Sequence, residues 1–203
     1  GLGNFCVTPD QAGVERGVPI VVDGGTSGTA TMQLALDWLD AAQPKTKVLS
    51  FMDPCVLYLA THDFICHKLE IANDTRNLDL DAAAELLELH ADRIVGFKVR
   101  ACHTGDPEVS PFLEGAKSIA GDRPIMVHLG RFPHTASITT DALLGSLREG
   151  DIVTHAFRGA SGALTIPERL PSDGLRKAAD RGVLLDVGHS ATDFRFRDAR
   201  TII

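Results

Sequence analysis

The chain has 203 residues, 20 Lys and Arg against 27 Asp and Glu for a net charge of −7, and 44% hydrophobic residues. That is enough chain to bury a sizeable core in one or at most two domains, which excludes a small scaffold held by disulfide staples. The acidic balance offers no field for nucleic acid or an anionic lipid surface, and no apolar run approaches the roughly 18 residues of a membrane span, so neither partner is expected.

Four cysteines with no C-x-x-C pair, and no secretory apolar segment at the start, point to free thiols and a cytoplasmic location. Because Gly1 is not a start methionine and the run to Ile202-Ile203 carries no helix stop, the chain is expected to be an excerpt of a longer protein.

Taken in order, one pattern recurs: a polar stretch ends in Gly, a short run of branched apolar residues follows, and the run closes on a residue with chemical capability. Gly17 leads through Val18-Pro19-Ile20-Val21-Val22 to Asp23, and a helix is expected from Thr31 to Ala42 with Met32, Leu36 and Leu39 on one stripe. Between them, Asp23-Gly24-Gly25-Thr26-Ser27-Gly28 lacks the Gly-Lys-Ser/Thr ending of a phosphate loop and reads as a strand-to-helix turn. Val48-Leu49-Ser50-Phe51-Met52 runs into Asp53. A helix from Asp81 to His90, capped by Asp81, precedes Ile94-Val95-Gly96-Phe97 and Lys98. Ser110 caps a helix to Ala120 with Pro111 in its first turn; Gly121 then leads to Pro124-Ile125-Met126-Val127 and His128. A helix over Thr140 to Arg148 precedes Gly150, Ile152-Val153-Thr154 and His155. Another, over Ser172 to Arg181, precedes Gly182, Val183-Leu184-Leu185-Asp186-Val187, Gly188 and His189.

Glycine suits the left-handed residue just past a helix, and continuous apolar runs of this length suit strands buried on both faces. Strand starts near 94, 124, 152 and 183 lie 30, 28 and 31 residues apart, one strand-helix unit each. Six strands in strict alternation with helices predict an α/β chain with a parallel sheet. Either a (β/α)8 barrel or a doubly wound open sheet accommodates that count.

Strand ends therefore present Lys98, His128, His155 and His189 on one rim. Neutral imidazole is the commonest protein ligand for zinc, and ligands from neighbouring strands can converge on one centre. Lys98, flanked by Gly96, Phe97 and Val99, is expected to be partly desolvated, which favours its neutral amine. Such an amine either attacks a carbonyl to form a Schiff base or captures carbon dioxide as a carbamate. Arg100 and Arg158 lie just beyond Lys98 and His155, placed to hold a substrate carboxylate or to pair on the rim. His62 and His67 read as surface or lid positions, His90 as a residue of a last helical turn, and His103 and His134 as loop residues that could touch substrate. Cys55, Cys66 and Cys102 read as buried small hydrophobes.

Gly96-Phe97-Lys98-Val99-Arg100-Ala101, Met126-Val127-His128-Leu129-Gly130, Gly150-Asp151-Ile152-Val153-Thr154-His155-Ala156-Phe157-Arg158-Gly159 and Arg181-Gly182-Val183-Leu184-Leu185-Asp186-Val187-Gly188-His189 together resemble the amidohydrolase superfamily. Within it, they resemble the metallohydrolase branch of deacetylases related to dihydroorotase and D-aminoacylase. Ala12 to Gly17 and Val22 to Gly28 are similar to that branch as well.

The resemblance implies residues 1–203 to be a single incomplete domain of a partial TIM barrel, with strands 2 to 7 present and strands 1 and 8 and the small β-domain missing. It implies one or two zinc ions, a carboxylated Lys98 on strand 4 as bridging ligand, and His128 and His155 on strands 5 and 6 as metal ligands. His189, Arg100 and Arg158 are then expected at the substrate. The branch also carries a His-x-His pair on strand 1 and a catalytic Asp on strand 8, and this sequence has neither, so the piece alone is expected to be inactive. The implied reaction is hydrolysis of an amide or ester bond in a small acylated molecule; a homo-oligomer stays open.

Two other classes compete. Ile94-Val95-Gly96-Phe97-Lys98 also resembles the lysine strand of the dihydrodipicolinate synthase and aldolase group, a Schiff-base lyase without metal; the sequence has a single tyrosine, Tyr58, and that reading leaves the histidines at 128, 155 and 189 idle. The third class is a non-catalytic barrel that keeps the fold and serves as a binding module.

Overall fold

A computed structural model describes residues 7–57, 74–100, 106–128, 138–158, 164, 171–189 and 194–203. Tyr58, His62, Cys66, His67, Cys102, His103 and His134 lie outside them.

The described residues contain six strands: β1 (Ile20–Gly24), β2 (Lys47–Met52), β3 (Ile94–Arg100), β4 (Ile125–His128), β5 (Ile152–Thr154) and β6 (Leu184–Asp186). They follow one another in the sheet in chain order, β1-β2-β3-β4-β5-β6. That order settles the architecture. A doubly wound sheet reverses its strand order at a switch point, whereas a strand-helix repeat that always advances in one direction is the winding of a (β/α)8 barrel.

Seven helices separate or flank the strands among the described residues: α1 (Pro9–Ala12), α2 (Thr29–Ala42), α3 (Leu80–Leu89), α4 (Pro111–Ala120), α5 (Thr140–Ser146), α6 (Asp173–Asp180) and α7 (Phe196–Ile202). Five of the seven start on a side-chain cap, with small shifts from the sequence reading. Asp79, not Asp81, caps α3, its carboxylate accepting from the Ala82 amide. Ser110 accepts from Leu113 as expected, and Ser172 does the same for α6 through Leu175. Thr139 caps α5, which stops at Ser146 rather than Arg148. His90 lies one residue beyond α3, its Nε2 2.7 Å from Gln33 Oε1. Gly17, Gly121, Gly150 and Gly182, read as left-handed residues ahead of strands, all take positive φ.

The chain divides into two compact units. The first holds residues 1–98 and 115–123. In it β1, β2 and the start of β3 pair in parallel, with the β2–β3 register slipping by a residue between Ser50 and Phe51. Met32 and Leu36 of α2 and Ala83 and Leu87 of α3 recur at i, i+4 and are buried with Phe51, Met52, Ile94 and Phe97. Gly28 offers α2 no side-chain cap; the Thr29 and Ala30 amides instead donate to the carbonyls of Cys55 and Val56, tying the helix start to the loop after β2.

The second unit holds residues 99–114 and 124–203. In it β4, β5 and β6 pair in parallel, and Val99, Phe112, Leu113, Ile125, Val127, Leu144, Val153 and Ala178 are buried. Asp151 fastens the base of this unit: its buried carboxylate accepts from the Ile125 amide at 2.9 Å and the Arg148 amide at 2.8 Å, with the Arg148 guanidinium at 3.2 Å. No described helix is long and apolar enough to cross a membrane.

Candidate active site

In the first unit the chemistry gathers after β1, after β2 and on β3. Asp23 folds the turn that follows β1: Oδ1 accepts from the Gly25 and Thr26 amides at 2.9 and 2.7 Å, and Oδ2 from the Thr26 hydroxyl at 2.8 Å. This is a side-chain-built turn leading into α2, as the sequence suggested. Asp53 closes β2 in the same manner, its buried carboxylate accepting from the Cys55 amide at 2.9 Å. Burial first, and the Asp53 carboxylate second, push the Cys55 thiol far above the ordinary thiol range. Cys55 is therefore a buried thiol, the burial the sequence reading expected of it.

Lys98 is only 8% exposed. It lies inside β3 rather than at its end, because the strand continues to Arg100. Its Nζ donates to the Gly24 carbonyl at 3.2 Å, so the amine of a buried side chain is aimed back at the turn after β1. Gly25, with φ +93°, makes that course possible.

In the second unit, His128 ends β4 and His155 directly follows β5. Their rings meet edge to face, with centroids 4.5 Å apart and an interplanar angle of 72°. His155 takes φ +63°, a left-handed backbone that non-glycine residues rarely adopt. The turn is held on both sides: the Arg158 amide donates to the His155 carbonyl, and the Ala156 amide to the Asp186 carbonyl. Neighbouring Thr154 donates its hydroxyl to Asp186.

The tautomer of His155 follows from its partner. A carbonyl only accepts, so Nδ1, 2.5 Å from the Gly188 oxygen, carries the proton and Nε2 keeps its lone pair. This is how a metal-binding imidazole is commonly oriented. Two imidazoles holding one tetrahedral zinc at ~2.1 Å place their ring centres roughly 5.2 Å apart, somewhat beyond the observed 4.5 Å. The two rings are direct neighbours, set a little closer than a shared tetrahedral ion would hold them. His128 has a competitor: the Arg100 guanidinium stands 3.5 Å from its Nε2, and a cation already at that lone pair opposes a second one. Ligation through His128 requires Nδ1 or a turn of Arg100 away from the ring. Among the described residues no group of three or more His, Cys, Asp and Glu comes together as a ready-made metal cluster.

The remaining candidates sort as follows. Arg158 lies on the turn after His155, partly buried. His189, exposed, stacks at 46° on Phe194 with centroids 5.5 Å apart, and Phe194 meets both Phe157 and Phe196 edge to face. Gly188 and Gly25, which bear on His155 and Lys98, were legible only as spacers in the sequence; nothing in a linear pattern tells which side chain a glycine faces.

No protein-family model matches the chain. It is 30% identical over 206 residues to a deacetylase of Brucella anthropi, a match that covers all of this chain and 49% of that protein. A deacetylase of Agrobacterium fabrum is likewise 30% identical, with 48% of its length covered, and one of Enterococcus faecalis is 31% identical over 201 residues, with 51% covered. The chain spans about half the length of the curated relatives it matches. Among solved structures, an adenine deaminase superposes with a TM-score of 0.80 at 27% identity, over 98% of this chain and 52% of that one. A dihydroorotase gives 0.78 at 30% identity, over 98% and 60%. With strands wound in one direction and these likenesses in sequence and fold, the chain is similar to proteins of the amidohydrolase superfamily over about half of their length and matches part of a TIM barrel.

Proposed function

We propose that this chain contributes metal ligands and substrate contacts to a zinc-dependent hydrolase that cleaves an amide or ester bond of a small acylated molecule. The observation that carries the reading is the pair His128 and His155, 4.5 Å apart, with His155 locked so that Nε2 faces away from its backbone partner. The names of the curated relatives, all deacetylases, support an acyl group as the part removed.

A bound divalent ion supplies Lewis acidity to the scissile carbonyl and acidifies water. The chain's own residues hold and orient. His155 offers Nε2, and His128 a second nitrogen. Lys98, buried, in its unprotonated form adds its amine to the carbon of carbon dioxide: an N–C bond forms, one N–H proton leaves to solvent, and the anionic carbamate presents two oxygens as a ligand. The proton that stays on Nζ keeps the bond to the Gly24 carbonyl, which fixes the plane of the group. Arg158, and Arg100 once turned from His128, hold a carboxylate on the substrate, and His189 lines its path.

The test is metal analysis and a high-resolution map of the full-length protein purified with zinc and bicarbonate. Bound zinc with added density on Lys98 is expected, and His128→Ala or His155→Ala should lower the metal content and cut activity by at least roughly 100-fold. A protein without metal and with an unmodified Lys98 would overturn the reading. Borohydride trapping of a pyruvate-like substrate on Lys98 would replace it with the lyase.

A further inference from the structure

We infer that Gly188 is a positioning residue for His155, setting both the tautomer and the direction of the imidazole. The inference rests on the metal-ligand reading for its use, though its geometry stands apart from it. Three observations converge on this one glycine. Its carbonyl accepts the Nδ1 proton of His155. Its φ of +48° lies in the left-handed region that L side chains rarely adopt. A Cβ at this position would lie 2.7 Å from both the Nδ1 and the backbone nitrogen of His155, and 2.4 Å from the Thr154 hydroxyl. The ring and the glycine backbone therefore touch with no room between them, and the side chain at 188 has to be a hydrogen atom.

The consequence for the imidazole is chemical. A histidine in solution divides its single proton between two nitrogens, and whichever nitrogen holds it cannot bind a metal. With Nδ1–H given to a backbone oxygen, Nε2 alone is left as the donor, and the bond raises its basicity. A backbone acceptor also has an advantage over a carboxylate: it adds no charge beside the metal and does not titrate. His155 itself sits at φ +63°, so the two left-handed residues, 33 positions apart, close on each other, and each holds the other's conformation. In sequence Gly188 is only a spacer between Asp186-Val187 and His189; after folding, it is the contact that aims His155.

The experiment uses the full-length protein in metal-free form. Long-range 1H–15N correlation of the histidine side chains should find His155 protonated at Nδ1. Zinc alone, titrated against a chromophoric chelator, should bind Gly188→Ala about 10–100-fold more weakly than the unsubstituted protein. Gly182→Ala is the control, because Gly182 also has positive φ, +86°, but the nearest atoms to its Cβ would be those of the flexible Glu149 side chain, at 3.0 Å and beyond. That control should lose stability yet keep the zinc affinity and the His155 tautomer. Should Gly188→Ala fail to fold, the tautomer in the unsubstituted protein decides by itself. Protonation at Nε2, or full zinc affinity in Gly188→Ala, overturns the positioning role. Nδ1 protonation in a protein that binds no zinc sinks the metal reading and leaves the positioning role standing.

Discussion

Lys98 runs directly across Gly25. A Cβ placed on that glycine would fall 2.3 Å from Cβ and 2.6 Å from Cγ of the lysine, while Lys98 Nζ reaches back to the Gly24 carbonyl at 3.2 Å. The turn after β1 and the side chain from β3 thus share one space, and Asp23 holds the turn in place by accepting from the Gly25 and Thr26 amides. Gly25→Ala should cost roughly 1–3 kcal/mol for overpacking on top of the ~1–2 kcal/mol of a left-handed alanine. Gly150→Ala, at φ +80° with nothing within 4 Å of its Cβ, should show the backbone part alone. Urea unfolding of the two variants measures the difference, and equal losses would mean that Lys98 simply moves aside.

A second prediction concerns the base of the second unit. Asp151 joins the starts of β4 and β5 by accepting two backbone amides and a guanidinium, and it is almost completely buried. Asp151→Ala leaves the Ile125 amide buried without an acceptor, so about 3 kcal/mol of stability should be lost. Asp151→Asn keeps one acceptor oxygen and should lose less. Thermal unfolding that ranks the two variants the other way would contradict this account.

Cys55 supplies the pH test. Its pKa is raised by burial and by Asp53, so the folded protein holds the proton where an unfolded thiol, at about 8.5, has released it. Protons bound by the folded state in excess of the unfolded state stabilise it at low pH and not at high pH. The contribution is therefore fully present below about pH 8.5 and declines as pH rises above it. Native protein at pH 8 should leave Cys55 unlabelled by a thiol reagent, with labelling in urea, and Cys55→Ala should flatten the loss of stability between about pH 8.5 and 10. Rapid labelling of Cys55 in the native state would refute the assignment.

The outer strands carry apolar side chains that the described residues leave in solvent: Ile20 and Val22 on β1 are 50% and 49% exposed, and Leu184 on β6 is 55% exposed. Edge strands with such faces invite association. The 203-residue chain produced by itself should sediment as concentration-dependent oligomers, and the pair Ile20→Thr with Val22→Thr should shift it toward monomer. A monomer at all concentrations would show that these faces are harmless.

The sequence by itself determined the repeat. Glycine before four of the six apolar runs, the cap residue Ser110, the helix start at Ser172 and the spacing near 30 residues are features of the chain's own order, set largely by backbone conformations and hydrogen bonds within a few residues, so a linear pattern can carry them. The same pattern named Lys98, His128, His155, Arg100, Arg158 and His189, because strand ends are readable from hydrophobic runs. It placed Lys98 at a strand end, whereas β3 runs on to Arg100, and it took Asp81 for the cap that Asp79 provides; both are boundary shifts of two residues, where neighbouring polar residues compete for one role.

Only the tertiary structure decided which way the sheet winds, since hydrophobic runs are the same in a doubly wound sheet and in a barrel. Only it could show that His155 gives its Nδ1 proton to Gly188, that Arg100 stands at His128, and that Gly25 makes room for Lys98. Each of these is a contact between residues 28 to 73 positions apart, fixed by sub-ångström packing and by the direction of one lone pair, and residue type along a chain encodes neither.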